Sequence, residues 1–216
     1  MENNAANSAV EAVQDKKKKN LFGDLLEIVE STIITVFAIV LVFTYFLHPV
    51  NVVGGSMVPT LNNDDRIFMS TVMFDVSYGD IIVIDNDVSY LIDENGNPYK
   101  YDPLDQFGQS KNPLKECIIK RVIACGGQTI DIDFTTGEVT VDGVVLDEPY
   151  INAQTSKNDG AFEYPLLVPD GYYFVMGDNR NHSSDSRNEF VGLISEEQIY
   201  GKAVIRYSPF SQFKIL

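Results

Sequence analysis

Ser56 lies in the sequence GGSMVPTL, residues 54–61, where glycine and proline restrict the chain around a hydroxyl group. Gly54 and Gly55 allow the backbone to approach a ligand closely, and Pro59 stiffens the chain just after the serine. A serine presented by such a turn can act as a nucleophile when a base lies beside it. The same residues also suit a purely structural turn, so a catalytic role requires a partner elsewhere in the chain.

Lys120 is a candidate general base. It lies next to Arg121 in CIIKRVIACGG, residues 117–127, inside an apolar run. If the run is a strand, Ile118, Lys120 and Val122 share one face, and at least one of the two adjacent cations lies in apolar surroundings. Arginine stays protonated in proteins, whereas burial lowers the pKa of a lysine and lets it act as a general base. The alternative is a lysine at a sheet edge whose amine reaches solvent.

A third polar segment, GDNRNHSSDSR, occupies residues 177–187 and directly follows the apolar run YYFVM. Nearly every side chain in it can donate or accept a hydrogen bond. A solvated loop is the ordinary interpretation of such a segment. The same density of donors and acceptors also suits a set of residues that orients a catalytic group.

Composition limits the possible partners. The chain of 216 residues carries a formal net charge of -15, so its surface repels a phosphate backbone and we expect no nucleic acid partner. Cys117 and Cys125 lack the spacing of zinc ligands, and if residues 117–124 form one strand their thiols lie beyond disulfide reach. Because the remaining metal-binding imidazoles are only His48 and His182, we expect free thiols, no metal and no cofactor, and we interpret His182 as a loop residue.

An uncharged stretch precedes Ser56. Residues 31–50 supply about 20 mostly apolar residues, which as a helix span the roughly 30 Å hydrocarbon layer of a bilayer. Lys16–Lys19 precede them, and this positive charge places the N-terminus in the cytoplasm. We therefore expect a cytoplasmic segment 1–30, a single-pass transmembrane helix 31–50 and an extracytoplasmic domain 51–216 in the cell membrane. A cleaved signal peptide is the alternative, although the small residues before Ser56 form a poor cleavage site.

Beyond residue 50 the sequence changes to short runs rich in β-branched and aromatic residues, which predict strands. These runs are residues 79–84, 116–124, 129–134, 137–141, 144–148, 172–177 and 200–208. Asp142-Gly143 predicts a hairpin between two of them, because both central positions of a type I′ turn need positive φ. A single helical turn is predicted within residues 195–200, where Ser195 and Glu197 or Gln198 could cap it. The domain is therefore predicted to be mainly β.

Two segments of this domain lack strand patterns. Residues 86–115 are dense in Asn, Asp, Gly and Pro and predict a polar insertion, with at most a small hairpin at Asn95-Gly96. Residues 152–165 predict a second surface loop. Neither segment shows a pattern that indicates a role in catalysis.

The three polar segments, together with the preceding apolar helix, resemble the type I signal peptidases, membrane-anchored Ser-Lys serine proteases that remove signal peptides from exported proteins. The resemblance covers most of the chain and includes RIFMS at 66–70 and KRVIACGG at 120–127, in the family's order. It implies a single N-terminal transmembrane helix followed by a signal-peptidase-like catalytic domain, a β-sheet or barrel. Gly54 stands where many relatives from outer-membrane-bearing bacteria have serine, so the chain is more similar to the Gram-positive branch.

The resemblance implies that Ser56 is the nucleophile and Lys120 the general base. It also implies that Ser183 is the family's second serine, whose hydroxyl contacts the lysine. Asp185 and Arg187 correspond to the family's supporting acid and base, and Asp178 and Asn179 help to shape the loop. The oxyanion site falls at Ser56 and Gly54. Because Gly54 has no hydroxyl, backbone N–H groups, chiefly that of Ser56, would supply the donors. Small side chains at the −1 and −3 positions of the substrate imply shallow pockets, which we place at Met57, Val50, Val52, Ile118 and Ile119.

These correspondences predict a serine endopeptidase whose partners are signal-peptide-bearing preproteins and membrane lipid, and which cuts after an Ala-x-Ala type site. An extended substrate would pair with strand edges. One alternative is a catalytically inactive membrane-tethered β-domain that binds exported chains, which would be expected to lack Ser56 or Lys120. The other is a self-cleaving Ser-Lys domain, which would carry a DNA-binding domain at its N-terminus. No oligomeric state is predicted.

Overall fold

The computed structural model describes residues 2–72, 75–102, 113–114 and 116–216. The chain divides into a helical unit, Met1–Phe46, and a β unit, Leu47–Leu216. Helix α1 spans Glu2–Tyr45, and within it Gly23–Tyr45 is long and apolar enough to cross a membrane. At 1.5 Å per residue this stretch is about 34 Å long. Its large apolar side chains are exposed.

Helix α1 ends at Tyr45, before the boundary predicted at residue 50, and Leu47–Asn51 form strand β1 instead. Pro49 accounts for the earlier end. Proline has no N–H for the helical hydrogen bond, and its ring disfavours helical geometry at the residue before it. Residues between the apolar helix and Ser56 therefore already belong to the β unit.

Thirteen further strands follow in the described part of the β unit. They are β2 (Arg66–Ser70), β3 (Ile81–Asp85), β4 (Ser89–Ile92), β5 (Pro98–Tyr101), β6 (Cys117–Cys125), β7 (Thr129–Asp133), β8 (Glu138–Val141), β9 (Val144–Val145), β10 (Leu166–Leu167), β11 (Tyr172–Met176), β12 (Ile194–Ser195), β13 (Ile199–Ser208) and β14 (Lys214–Ile215). The larger sheet has the order β1-β2-β13-β3-β6-β11-β12, with β14 also paired to β13. A second sheet has the order β10-β7-β8-β9, and β4 and β5 form a separate hairpin.

The mainly β fold predicted from the sequence is confirmed, and each of the seven predicted runs contains a strand. Asp142 and Gly143 connect β8 to β9 with φ values of 52° and 78°, as the predicted type I′ turn requires. The predicted helical turn is a 3₁₀ turn at Glu196–Gln198, in which Gln198 Oε1 accepts a hydrogen bond from the Ser195 N–H at 3.0 Å. Strands β1, β2, β10, β12 and β14 were not predicted as separate elements.

The predicted insertion is partly structured. Strands β4 and β5 flank a turn that contains Asn95-Gly96, so the small hairpin is present. Leu91 and Ser89 on β4 are buried, and the Ser89 hydroxyl donates a hydrogen bond to the Glu189 carbonyl at 2.5 Å, so this strand is docked on the domain. Residues 103–112 and 115 of the insertion lie outside the described residues.

Strand β6 is paired on both edges in its second half but on only one edge in its first half, among the described residues. Its whole first half pairs with β3, but β11 pairs only with residues 121–125, because β11 ends at Met176 opposite Arg121. Among the described residues, no strand pairs with the other edge of β6 at residues 117–120. Lys120 therefore lies directly next to the point at which pairing between β6 and β11 stops.

The turn between β8 and β9 provides a test of the fold. A Gly143→Ala substitution should lower the free energy of unfolding by about 1–2 kcal/mol, because an alanine at φ 78° is strained although the space around it is open. Thermal unfolding of the full chain in detergent measures the change. Val144→Ala is the matched control, since Val144 is next in the chain and 67% exposed, and it should change stability by less than about 0.5 kcal/mol. Equal effects of the two variants would contradict the assigned turn.

Candidate active site

Ser56 lies in the turn between β1 and β2. The residues around it pack on a small core that includes Val52, Met57 and Leu61, each at most 3% exposed. Gly54 has a φ of 87°, and its N–H donates to Asn63 Oδ1 at 2.8 Å. The turn is thus held both by the packing of its apolar side chains and by the hydrogen bond between Gly54 and Asn63.

Lys120 reaches the same place from β6. Its side-chain amine contacts the serine hydroxyl, with 3.0 Å between Nζ and Ser56 Oγ, and it also donates to the Ile119 carbonyl at 3.0 Å. Lys120 is 4% exposed. This burial lowers the pKa of Lys120 to about 8, although the negative charge of Asp185 acts in the opposite direction. The two residues singled out from separate motifs therefore lie within hydrogen-bonding distance.

The adjacent cation, Arg121, is held differently. Its Nε and Nη2 donate to the two carboxylate oxygens of Asp178 at 2.8 Å and 2.7 Å, and its guanidinium lies 4.1 Å from the centre of the Tyr150 ring. Both cations are buried, but Lys120 forms no salt bridge with any described residue. Of the two, only Lys120 can lose its proton near neutral pH.

The segment 177–187 forms a buried hydrogen-bonded loop rather than a solvated one. Asp185 and Arg187 are fully buried and form a two-bond ion pair at 2.8 Å. Burial would raise the pKa of Asp185, but the Arg187 guanidinium and the Gly177 N–H, which donates at 2.9 Å, hold that pKa below its ordinary value. Asp185 therefore stays ionised close to Lys120.

Ser183 is buried at the bottom of this loop. The hydrogen bonds of the Lys120 amine go to Ser56 and Ile119, so the contact between Ser183 and Lys120 implied by the family resemblance is not a hydrogen bond in this structure. Gly177 explains how Ser183 comes so close to Ser56. A side chain at position 177 would collide with Ser183 Oγ and with the Ser56 carbonyl, so only glycine allows the three residues to meet.

Asn179 connects the loop to the nucleophile turn. Its backbone N–H donates to the Ser56 carbonyl at 2.9 Å, and its side-chain Nδ2 donates to the Gly55 carbonyl at 2.9 Å. Asp178, Asn179, Asp185 and Arg187 thus all lie around the Ser56–Lys120 pair. Gly177, which the sequence reasoning did not assign a role of its own, completes the contact.

Residues 152–161 lie against the loop, although the sequence predicted only a surface loop there. Arg187 Nη1 donates to the Lys157 carbonyl at 2.9 Å, and Arg180 Nη1 donates to Thr155 Oγ1 at 3.0 Å. Asn181 Oδ1 accepts from the backbone N–H groups of Ser156 and Lys157. We call residues 152–161 the strap. Its polar composition is that of an ordinary loop, and no sequence pattern distinguishes it.

A third ion pair joins Arg180 of the same loop to Glu148. The Arg180 guanidinium donates to both carboxylate oxygens of Glu148, at 2.8 Å and 2.5 Å. Arg180 is fully buried, and its guanidinium carbon lies 6.0 Å from the centre of the Tyr150 ring. Neither Glu148 nor Tyr150 was singled out from the sequence, because each lies in a segment that carries no motif.

A cavity of about 520 Å³ opens beside the Ser56–Lys120 pair. All five residues that the sequence analysis placed in the substrate pockets line it: Met57, Val50, Val52, Ile118 and Ile119. Residues missed from the sequence also line it, among them Val83, Leu114, Glu116, Cys117, His182 and Ser184. Val83 pairs with Ile119 across β3 and β6, and such pairings between distant segments cannot be read from local patterns.

The two residues predicted for the oxyanion site differ in their hydrogen bonding. The Gly54 N–H is used by Asn63, as described above, whereas the Ser56 N–H makes no hydrogen bond within the described part of the chain. The Ser56 N–H is therefore the available donor of the two. An oxyanion formed on attack by Ser56 would lie next to it.

The family model described as "Signal peptidase, peptidase S26" matches residues 25–208. Signal peptidase I S of Bacillus subtilis (strain 168) is 32% identical over 209 residues, covering 92% of this chain and 95% of the relative. Signal peptidase I of Bacillus amyloliquefaciens is 31% identical over 209 residues, covering 93% of this chain and 97% of the relative. A solved signal peptidase I from Enterococcus faecalis V583 is 23% identical, covering 60% of this chain and 97% of that chain with a TM-score of 0.41. On the family match and these relatives, the chain belongs to the signal peptidase family, peptidase S26.

Proposed function

We propose that the chain is a membrane-anchored endopeptidase that removes N-terminal signal peptides from exported preproteins, with Ser56 as nucleophile and neutral Lys120 as general base. Membership of a serine peptidase family supports the reaction class. The observation that carries the assignment of residues is the 3.0 Å hydrogen bond between Lys120 Nζ and Ser56 Oγ, made where the amine is removed from water. A hydroxyl and a base in hydrogen-bond contact form the minimum apparatus of covalent acyl transfer.

The reaction begins with neutral Lys120. Its amine accepts the proton of the Ser56 hydroxyl as Oγ attacks the carbonyl carbon of the scissile peptide bond. The resulting oxyanion accepts a hydrogen bond from the Ser56 N–H. The lysine, now protonated, donates its proton to the nitrogen of the leaving chain, and the C–N bond breaks to give an ester on Ser56. A water molecule then gives up a proton to Lys120 as its oxygen attacks the ester carbon. The bond to Ser56 Oγ breaks, and Lys120 returns the proton to Oγ, which restores the hydroxyl and the neutral amine.

The electrostatics favour this role for the lysine. With a pKa of about 8, about one molecule in ten carries a neutral Lys120 at pH 7, against fewer than one in a thousand for a lysine in water. Asp185 moderates the effect, because its charge favours the protonated lysine. The balance yields a base that is available near neutral pH and still accepts a proton readily.

The lining of the cavity supports the proposed substrate class. Val50, Val52, Ile118 and Ile119 make its walls apolar and close to the Ser56–Lys120 pair, which suits the small side chains of an Ala-x-Ala type site at positions −1 and −3. The free edge of β6 at residues 117–120 offers backbone N–H and C=O groups to an extended chain. We propose that the preprotein binds along this edge.

Anchoring is proposed on the helical unit. The apolar stretch Gly23–Tyr45 would cross the lipid bilayer, and Lys16–Lys19 would hold its N-terminal side in the cytoplasm. The segment before the stretch would then be cytoplasmic, and Leu47–Leu216 would be the extracytoplasmic catalytic domain. In the chain, Ser56 follows Tyr45 by eleven residues. This short separation in sequence is consistent with cleavage at the outer end of a membrane-inserted signal peptide.

The proposed function is tested by cleavage of a purified precursor with an Ala-x-Ala site, using the full chain in liposomes. The intact chain should cut after the second alanine. Ser56→Ala, Lys120→Ala and Lys120→Arg should each reduce the rate by at least about 10³-fold, since each removes the nucleophile or the neutral base. Lys202→Ala is the matched control, because Lys202 forms an ion pair with Asp80 and does not line the cavity.

Two outcomes would contradict the assignment. Cleavage that survives in Lys120→Ala would mean that another group acts as the base. Absence of cleavage by the intact chain, with binding of the precursor retained, would favour the alternative of an inactive binding domain.

The pH dependence of cleavage follows from the buried lysine. Because the reaction needs neutral Lys120, kcat/KM should increase with pH through a midpoint near 8 and level off above it. An initial-rate profile between pH 5.5 and about 9.5, with a precursor that has no titratable side chain near the cleavage site, measures this limb. Thermal unfolding at each pH excludes loss of the fold as its cause. A rate independent of pH between 6 and about 9 would argue against lysine as the base.

Gly177 is predicted to be essential for activity for a steric reason. In Gly177→Ala the new methyl group would collide with Ser183 and with the Ser56 carbonyl, so we expect the backbone contact between residues 177 and 56 to open and the position of Ser56 relative to Lys120 to change. A displacement of about 1 Å can reduce kcat by about 10²-fold. Gly143→Ala is the control, since it should lower stability without affecting cleavage. Wild-type kcat in a folded Gly177→Ala variant would show that the contact does not position Ser56.

A further inference from the structure

Two hydrogen bonds from Asn179 hold the turn that carries Ser56. The backbone N–H of Asn179 bonds the Ser56 carbonyl, and the side-chain Nδ2 bonds the Gly55 carbonyl, each at 2.9 Å. The second of these bonds depends on which way the Asn179 amide points. If its oxygen faced Gly55, two acceptors would oppose each other and the turn would lose this contact.

Asn152 determines the orientation of that amide. Its Nδ2 donates to Asn179 Oδ1 at 2.7 Å, so the oxygen of Asn179 is engaged on the side away from Gly55. The Asn152 backbone N–H also donates to the Asp178 carbonyl at 3.3 Å. A chain of two side-chain amides therefore runs from Asn152 through Asn179 to the Gly55 carbonyl, next to the nucleophile.

The side chain of Asn152 bonds a residue, Asn179, that is itself bonded to the nucleophile turn, and this sets it apart from the strap residues compared below. Ser156 bonds Asn181, Thr155 bonds Arg180 and the Lys157 carbonyl accepts from Arg187. Those contacts dock the strap on the loop, and none of them continues to the Gly55-Ser56 backbone. The bond from Asn152 does continue there, by way of Asn179.

We propose that Asn152 is a positioning residue for the peptidase reaction, acting through the Asn179 amide to hold Ser56 against Lys120. The inference rests on the proposed function, because it concerns the same nucleophile. It assigns a role to a residue outside the three motifs. Asn152 does not line the cavity and does not touch the reacting atoms.

A double-mutant cycle tests the relay. Asn152→Ala should lower kcat by about five- to tenfold with KM unchanged, because a shift of the nucleophile by a fraction of an ångström affects the chemical step and not precursor binding. In the Asn179→Ala background the same substitution should have no further effect, since its target is gone. Ser156→Ala, the matched strap control, should leave kcat unchanged. Independent, multiplicative effects of Asn152→Ala and Asn179→Ala would overturn the relay.

Asn152→Asp separates positioning from packing. Aspartate has the shape of asparagine but offers only acceptors, so it would attract the Asn179 amide nitrogen away from Gly55. The relay therefore predicts a lower kcat for Asn152→Asp than for Asn152→Ala, although aspartate is the closer match in size. A purely structural role predicts the reverse order, and that result would overturn the proposal.

Amide hydrogen exchange of the full chain gives a readout that does not need activity. Exchange in the segment 54–58 should be faster in Asn152→Asp and in Asn179→Ala than in the intact chain, and unchanged in Ser156→Ala. If the intact chain cleaves no precursor, the proposed function fails while exchange still decides whether Asn152 controls the turn. Exchange at wild-type rates in Asn152→Asp would refute the relay even if the chain is an active peptidase.

Discussion

The proposed chemistry depends on burial of the Lys120 amine beside the Ser56 hydroxyl, because an amine in water stays protonated at neutral pH. The charges nearby are arranged so that they do not neutralise this effect. Each of three arginines in or next to the loop has its own carboxylate, in the pairs Arg121–Asp178, Arg180–Glu148 and Arg187–Asp185. Buried ion pairs contribute little net stability. Here each pair neutralises a buried charge, so Asp185 acts on Lys120 only through space, and no carboxylate of the described residues forms a salt bridge that would hold the lysine in its charged form.

The chain builds this environment by ending strands early. Strand β11 stops at Met176, and the glycine that follows lets the backbone pass directly against the Ser56 carbonyl. The loop can then turn back toward Lys120, and the strap is hydrogen-bonded to the loop. The same early end leaves one edge of the first half of β6 without a strand partner among the described residues, and residues of this half line the cavity. A single break in strand pairing thus produces both the buried loop and the open groove.

Local patterns predicted much of the fold, since β-branched runs and the Asp142-Gly143 turn depend on neighbours in the chain. They did not predict where separate segments meet. The contact between Ser56 and Lys120 was anticipated only from the resemblance to a family, because nothing in the spacing of the two residues brings them together. Strand β1 was predicted as the end of a helix, since its apolar residues suit either structure. The strap was predicted to be a plain loop, because its role lies in hydrogen bonds to distant residues that leave no periodic signal.

The unpaired edge of β6 can accept only a chain that is itself extended. A segment folded into a helix, or paired on both sides within a sheet, has used its backbone N–H and C=O groups and has none to offer there. On the proposed binding mode, processing therefore competes with the folding of the exported protein. Residues on both sides of the scissile bond must stay unstructured until the bond is cut. A passenger whose N-terminus folds rapidly would escape processing and remain tethered to the membrane by its own signal sequence.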